Sequence, residues 1–83
     1  MKRYIYLISP SNIRSKKFYY TLNKIFKTNK VKYFQLRLKN KSNYNLIKIS
    51  KKIKKIAKKN EVKFIINDNP FLAKLVNADG CHI

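Results

Sequence analysis

The stretch that most constrains this chain is residues 31–39, VKYFQLRLK, set between Asn29-Lys30 and Asn40-Lys41-Ser42. It reads as a β-strand, and side chains in a strand alternate between faces. Phe34, Leu36 and Leu38 make one apolar face. Val31, Tyr33, Gln35, Arg37 and Lys39 make the other, apolar at its start and polar at its end. A strand with one wet face is polar along all of it, and a strand buried on both sides is apolar throughout. A face that begins as core and ends as Gln-x-Arg-x-Lys fits a barrel strand. Its lower part fills the barrel and its upper part opens onto a site at the C-terminal rim.

The rest of the chain alternates around this strand. Residues 4–9, YIYLIS, are nearly all apolar, as expected of a parallel strand covered on both faces. Residues 9–12 form a loop, and Ser15 is placed to cap a helix running to about Lys27. Phe18, Leu22, Ile25 and Phe26 form its single stripe. After a loop at 40–42, Ser42 or Asn43 caps a second helix to about Lys59, with Leu46, Ile49, Ile53, Ile56 and Ala57 inward. Residues 62–67, VKFIIN, are a third strand. Asn69 then caps a short helix with Pro70 at its first position, carrying Phe71, Leu72, Leu75 and Val76. A turn at 77–80 leads into Cys81-His82-Ile83, the start of a fourth strand.

The pattern is β-α-β-α-β-α-β, with units of roughly 30 residues, the size of a βαβ crossover. Right-handed crossovers give parallel strands. A doubly wound open sheet and the first half of a (β/α)8 barrel both fit. Nucleotide-binding open sheets carry glycines after their first strand, but that loop here is Ser-Pro-Ser-Asn and the chain has a single glycine. The polar end of the second strand favours the barrel, with strand order 1-2-3-4 and all three helices on one side of the curved sheet.

The net charge is +18, from 21 Lys and Arg against 3 Asp and Glu. Such an excess is the signature of nucleic-acid or anionic-membrane binding when it gathers in one patch. Here the lysines are spread through every segment, as a general compositional bias would spread them. Lys48, Lys51, Lys52, Lys54, Lys55, Lys58 and Lys59 cover the outer side of the second helix without interfacial aromatics. The first apolar run is too short to span a membrane. The one cysteine, Cys81, excludes an intrachain disulfide and suits a reducing, cytoplasmic setting. A basic RNA- or membrane-binding module is thus the alternative. It requires a contiguous basic surface with interleaved aromatics.

Gln35, Arg37 and Lys39 share one face at the rim. A guanidinium fork and an ammonium suit phosphate oxygens, and an amide suits the edge of a heterocycle. Together they describe a diphosphate attached to a ring. Asn67 and Asp68 end the third strand, where a barrel places its functional residues. Asp68 is suited to a Mg2+ that accompanies a diphosphate. Asp-Asn-Pro is also a capping sequence, and local sequence alone favours that role for Asp68. Asp79 reads as a turn residue and His82 as a packed strand residue.

Gln35-Leu36-Arg37-Leu38-Lys39, Phe64-Ile65-Ile66-Asn67-Asp68, Ala73 and Ala78-Asp79-Gly80-Cys81-His82-Ile83 closely resemble the motifs of the thiamine-phosphate synthase family, in order and at similar spacing. The resemblance covers essentially the whole chain. It implies the N-terminal half of a (β/α)8 TIM barrel. It also implies a Mg2+-dependent transferase of thiamine biosynthesis, coupling hydroxymethylpyrimidine diphosphate to thiazole phosphate with release of pyrophosphate. By resemblance Gln35, Arg37, Lys39 and Asn67 contact the pyrimidine diphosphate and Asp68 ligates Mg2+. A thiazole tautomerase of the same superfamily is the nearer alternative. The family continues past the His-Leu/Ile pair with Gly-Gln-x-Asp, a second metal ligand, and with a thiazole-phosphate site. Residues 1–83 therefore read as a truncated, partial domain, expected to be inactive alone and to hold a diphosphate weakly and in a salt-sensitive way.

Overall fold

The computed structural model describes residues 4–13, 15–39 and 41–83. Met1, Lys2, Arg3 and Arg14, with Asn40 of the loop after the second strand, lie outside the described residues. The elements are β1 (Ile5–Ile8), α1 (Lys16–Lys27), β2 (Val31–Leu36), α2 (Asn43–Lys59), β3 (Lys63–Asn67), α3 (Pro70–Leu75) and β4 (Gly80–His82). The strands form a parallel sheet in the order β1-β2-β3-β4. Sequential order is that of a barrel; a doubly wound sheet reverses direction at a switch point. The architecture is the N-terminal half of a (β/α)8 barrel, as the sequence pattern leads one to expect.

The helices stop and start where local chemistry requires. Ser42 Oγ accepts from the Asn45 N–H at 3.2 Å and opens α2. Asn69 Oδ1 accepts from the Leu72 N–H at 2.9 Å and opens α3, with Pro70 in the first turn. Ser15 occupies the cap position of α1 in extended geometry but makes no side-chain capping bond. Asn29, Glu61 and Asn77 follow the three helices with φ of 68°, 59° and 56°. This is the left-handed stop usually supplied by glycine.

Each helix turns its stripe onto the same face of the sheet. Leu22 and Phe26 of α1, Ile53 and Ala57 of α2, and Leu72 and Ala73 of α3 join one buried cluster with Phe34, Leu36, Phe64 and Ile66. Phe26 meets Phe34 edge-on at 5.6 Å between ring centroids. Ser50, absent from the expected stripe, is fully buried at its centre, between Leu46 and Ile53 on the helix face. Ile25, Phe71 and Leu75 depart the other way and face outward, Phe71 being 78 % exposed. α3 is only 6 residues long, so it can turn only Leu72, Ala73 and the following Val76 inward.

The opposite face of the sheet is open. Tyr6 and Tyr33 stack on it with ring centroids 5.6 Å apart, and Tyr33 is 45 % exposed. β1, expected to be covered on both faces, is instead a largely exposed edge strand whose Ile5, Tyr6 and Ile8 are all exposed. Val31 also departs from the simple alternation. Ile5 pairs with Val31 but Tyr6 pairs with Tyr33, so β2 carries one extra residue at Lys32. The bulge moves Val31 off the face of Tyr33 and into the helix-side core.

These assignments separate two substitutions of similar chemistry. Ile53→Ala, at a site with no exposed surface, is expected to lower unfolding free energy by about 2–5 kcal/mol in urea denaturation. Phe71→Ala, on the outer side of α3, is expected to change it by no more than about 0.5 kcal/mol.

Candidate functional site

The rim is built on β2 and β3, which pair from Tyr33↔Lys63 to Leu36↔Ile66. Regular strand geometry in β2 ends at Leu36, earlier than the pattern through Lys39 implies. The following residues stay tied to the loop after β1: the Arg37 N–H donates to Ser9 Oγ at 2.9 Å, and the Lys39 N–H donates to the Ser11 carbonyl at 3.1 Å. Arg37 and Lys39 consequently leave the sheet as an extended segment with exposed side chains.

Two shallow recesses adjoin there. One, of about 250 Å³, is lined by Ser9, Ser11, Arg37, Lys39 and Asn67 among others. The second, of about 340 Å³, is lined by Lys39, Asn67, Asp68 and Asn69 together with apolar residues of the core edge. Lys39 and Asn67 are common to both, so Arg37 and Asp68 face one continuous rim across them. Gln35 sits one strand step below. It is 3 % exposed, beside Ile8 and Ile65 in register, and its side-chain Nε2 has no hydrogen-bond partner. A buried amide donor without a partner costs free energy and marks a place where an acceptor belongs.

Asp68 adopts φ 53°, a left-handed conformation that Asp tolerates better than most residues, and its N–H donates to the His82 carbonyl at 2.6 Å. The two roles open to it in the sequence are separated by its neighbour. Asn69 is the cap of α3, so the Asp68 carboxylate stays at the rim. As a hard-cation site the rim offers one carboxylate; among the described residues no three of His, Cys, Asp and Glu cluster. A lone carboxylate fits Mg2+, which keeps several waters and takes further oxygens from a substrate's phosphates.

Two residues differ from their sequence reading. His82 is exposed at the end of β4, a strand of only 3 residues. Asp79 is more than a turn residue. Its Oδ2 accepts from the Phe64 N–H at 2.7 Å while its own N–H donates to the Phe64 carbonyl at 2.8 Å, which fastens the start of β3 to the approach of β4. The single glycine follows, where an added Cβ would lie 3.1 Å from Ile65 Cδ1.

A larger recess of about 790 Å³ lies at the other end of the strands, lined by Tyr4, Lys32, Tyr33, Lys54, Lys63 and Glu61 among others. That is the end of a barrel associated with stability, away from the C-terminal ends of the strands. Lysines meet tyrosines more often than the sequence suggests: Lys24 lies over Tyr20, Lys32 over Tyr4 and Lys52 over Tyr19, at 4.7, 5.0 and 5.3 Å from the ring centroids. Burial raises the Tyr19 phenol above its ordinary pKa. No helix among the described residues is long and apolar enough to cross a membrane.

The family model described as thiamine monophosphate synthase matches residues 5–83. The chain belongs to that family. It is 52 % identical over 82 residues to a thiamine-phosphate synthase of Pelagibacter ubique, covering 99 % of this chain and 40 % of that one. It is 40 % identical over 80 residues to a thiamine-phosphate synthase of Fusobacterium nucleatum, covering 95 % of this chain and 38 % of the relative. Among solved structures, a thiamine phosphate pyrophosphorylase from Pyrococcus furiosus matches with a TM-score of 0.81 at 20 % identity, over 99 % of this chain and 39 % of its own. This thiamine monophosphate synthase family chain thus spans about 40 % of the length of the relatives it matches.

The separation of Asn69 from Asp68 is measurable. Asn69→Ala is expected to lower stability by about 1 kcal/mol through loss of the α3 cap. Asp68→Asn, which keeps a side chain tolerant of positive φ, is expected to lower it by less than about 0.5 kcal/mol. Urea unfolding of both variants checks the pair.

Proposed function

We propose that this chain supplies the diphosphate-binding part of a thiamine-phosphate synthase, a transferase of thiamine biosynthesis. The coupled substrates are hydroxymethylpyrimidine diphosphate and thiazole phosphate, and the products are thiamine phosphate and pyrophosphate. The observation that carries the reading is the shared rim, where Lys39 and Asn67 line both recesses and bring Arg37 and Asp68 to one continuous surface. The names of the relatives support the same assignment.

Each residue has a distinct task in this reading. Arg37 holds phosphate oxygens through its planar fork, and Lys39 adds a second positive charge about 7 Å further along an extended chain. Two cations spaced so can bracket one diphosphate and stabilise the charge that grows on it as it leaves, a preorganised electrostatic effect. Gln35 offers its unpartnered Nε2 to an acceptor on the pyrimidine or the adjoining phosphate. Asn67 binds the same substrate from the neighbouring strand. Asp68 and the diphosphate oxygens would together hold Mg2+, which supplies charge neutralisation of the leaving group. As the carbon–oxygen bond to the diphosphate breaks, the pyrimidine stabilises the cation left behind, and the thiazole nitrogen donates its electron pair to form the new carbon–nitrogen bond. The single free cysteine accords with a cytoplasmic setting.

The test is calorimetric titration of the chain with pyrophosphate, with and without Mg2+. Mg2+ is expected to strengthen binding, and Asp68→Asn is expected to remove about tenfold or more of that gain. Lys48→Ala, on the exposed side of α2, is expected to change nothing beyond a slight loss at low salt. Equal losses from both variants would show binding to general positive charge and overturn the assignment.

A further inference from the structure

The ladder between β1 and β2 ends in an unusual way. Its last backbone rung is the Ser9 N–H donating to the Gln35 carbonyl at 2.9 Å. In a regular parallel ladder the Arg37 N–H would then donate to the backbone carbonyl of residue 9. It donates instead to the Ser9 hydroxyl at 2.9 Å, and that hydroxyl donates to the Pro10 carbonyl at 3.0 Å. Pro10 fixes its own φ and restricts the residue before it, and here the Arg37 N–H meets the Ser9 side chain in place of the Ser9 carbonyl. Ser9 is 7 % exposed, which makes this a nearly water-free junction. Two residues later the Lys39 N–H regains a backbone partner, the Ser11 carbonyl.

We propose that Ser9 is a positioning residue for the diphosphate site. Its hydroxyl takes the place of its own backbone carbonyl as the acceptor for the Arg37 N–H and holds the extended segment from Arg37 to Lys39 where both cations face the rim. The role rests on the reading of that rim as a diphosphate site. It requires a group that accepts and donates at once: it receives the Arg37 N–H and gives its own proton to Pro10. Alanine can do neither and leaves the Arg37 N–H without a partner in a part-buried place. Threonine keeps the hydroxyl and suits an extended backbone. Regular β2 ends at Leu36, so the two cations depend on this bond and on the Ser11 contact for their course.

The experiment uses the 83-residue chain, with Mg2+ and pyrophosphate as the probe and amide hydrogen exchange at Arg37 followed by NMR on the same samples. Ser9→Ala is expected to weaken binding by about three- to tenfold, the equivalent of one net hydrogen bond, and to speed Arg37 exchange. Ser9→Thr is expected to restore both. Ile53→Val loosens the core away from the rim and is expected to leave pyrophosphate affinity unchanged, which separates positioning from general loss of stability. Should Ser9→Ala not fold, Ser9→Cys, of similar size but a weak donor and acceptor, takes its place with the same expectations. Undiminished binding by the serine-lacking variant overturns the role of Ser9 and leaves the site reading standing; so does failure of Ser9→Thr to restore what was lost. Absence of saturable binding by the unaltered chain overturns the site reading, and the positioning role with it.

Discussion

The structure depends on β2 being paired along both edges. β1 and β3 hold it in parallel register from either side, and the helix-side core closes beneath it through Phe34 and Leu36. A strand fixed in this way has little freedom to slip, because a shift of one residue would exchange its faces. Phe34 and Leu36 would then meet water, and Gln35 would enter the apolar cluster without a partner. The placement of the rim residues follows from that penalty. Gln35 stands where it does because Phe34 and Leu36 on either side of it are held in the core, and Arg37 and Lys39 continue from there along the loop after β1.

Much of this was legible in the chain. Alternating apolar and polar positions, with Asn69-Pro70 and Ser42 as helix starts, are local signals, and local signals are what periodicity and capping rules read. Unit length and connection handedness implied parallel strands, and the polar end of β2 with the glycine-free first loop favoured the sequential order of a barrel. Tertiary choices were less legible. Nothing in residues 31–33 announces a bulge, since Val31 and Tyr33 share a parity and only the pairing with Ile5 and Tyr6 reveals the extra residue. Ile25, Phe71 and Leu75 have core chemistry but lie outside the narrow arc that a short helix can turn inward. Ser50 has surface chemistry, yet it is fully buried on the same face of α2 as Ile53 and Ala57.

At the site the division is similar. The residue types of Gln-x-Arg-x-Lys and Asn-Asp, with their periodicity, implied a common face and a common edge. The sequence left Asp68 between two roles, and the structure separates them by giving the cap to Asn69. Ser9 and Asp79 gave weaker signals. Each works by replacing a backbone hydrogen bond with a side-chain one, Ser9 for Arg37 and Asp79 for Phe64. Such substitutions are visible only once the strand ends are known. In Ser9 the available clue was a hydroxyl directly before a proline at a strand end, where side-chain-to-backbone hydrogen bonds commonly replace the ladder.

The left-handed stops after the helices bear on how such a fold can be encoded. A helix end of this type favours glycine because every other residue loses about 1–2 kcal/mol by adopting it, and Asn and Asp lose least. This chain closes its helices on Asn29, Glu61 and Asn77, and keeps its single glycine for the crowded contact beside Ile65. The architecture can therefore be written in an alphabet rich in asparagine and lysine and almost empty of glycine. Its glycine stands at a tight side-chain contact, and none stands at a left-handed helix end. A compositional drift in the genome can thus pass through the helix-ending turns of this half-barrel without calling on glycine.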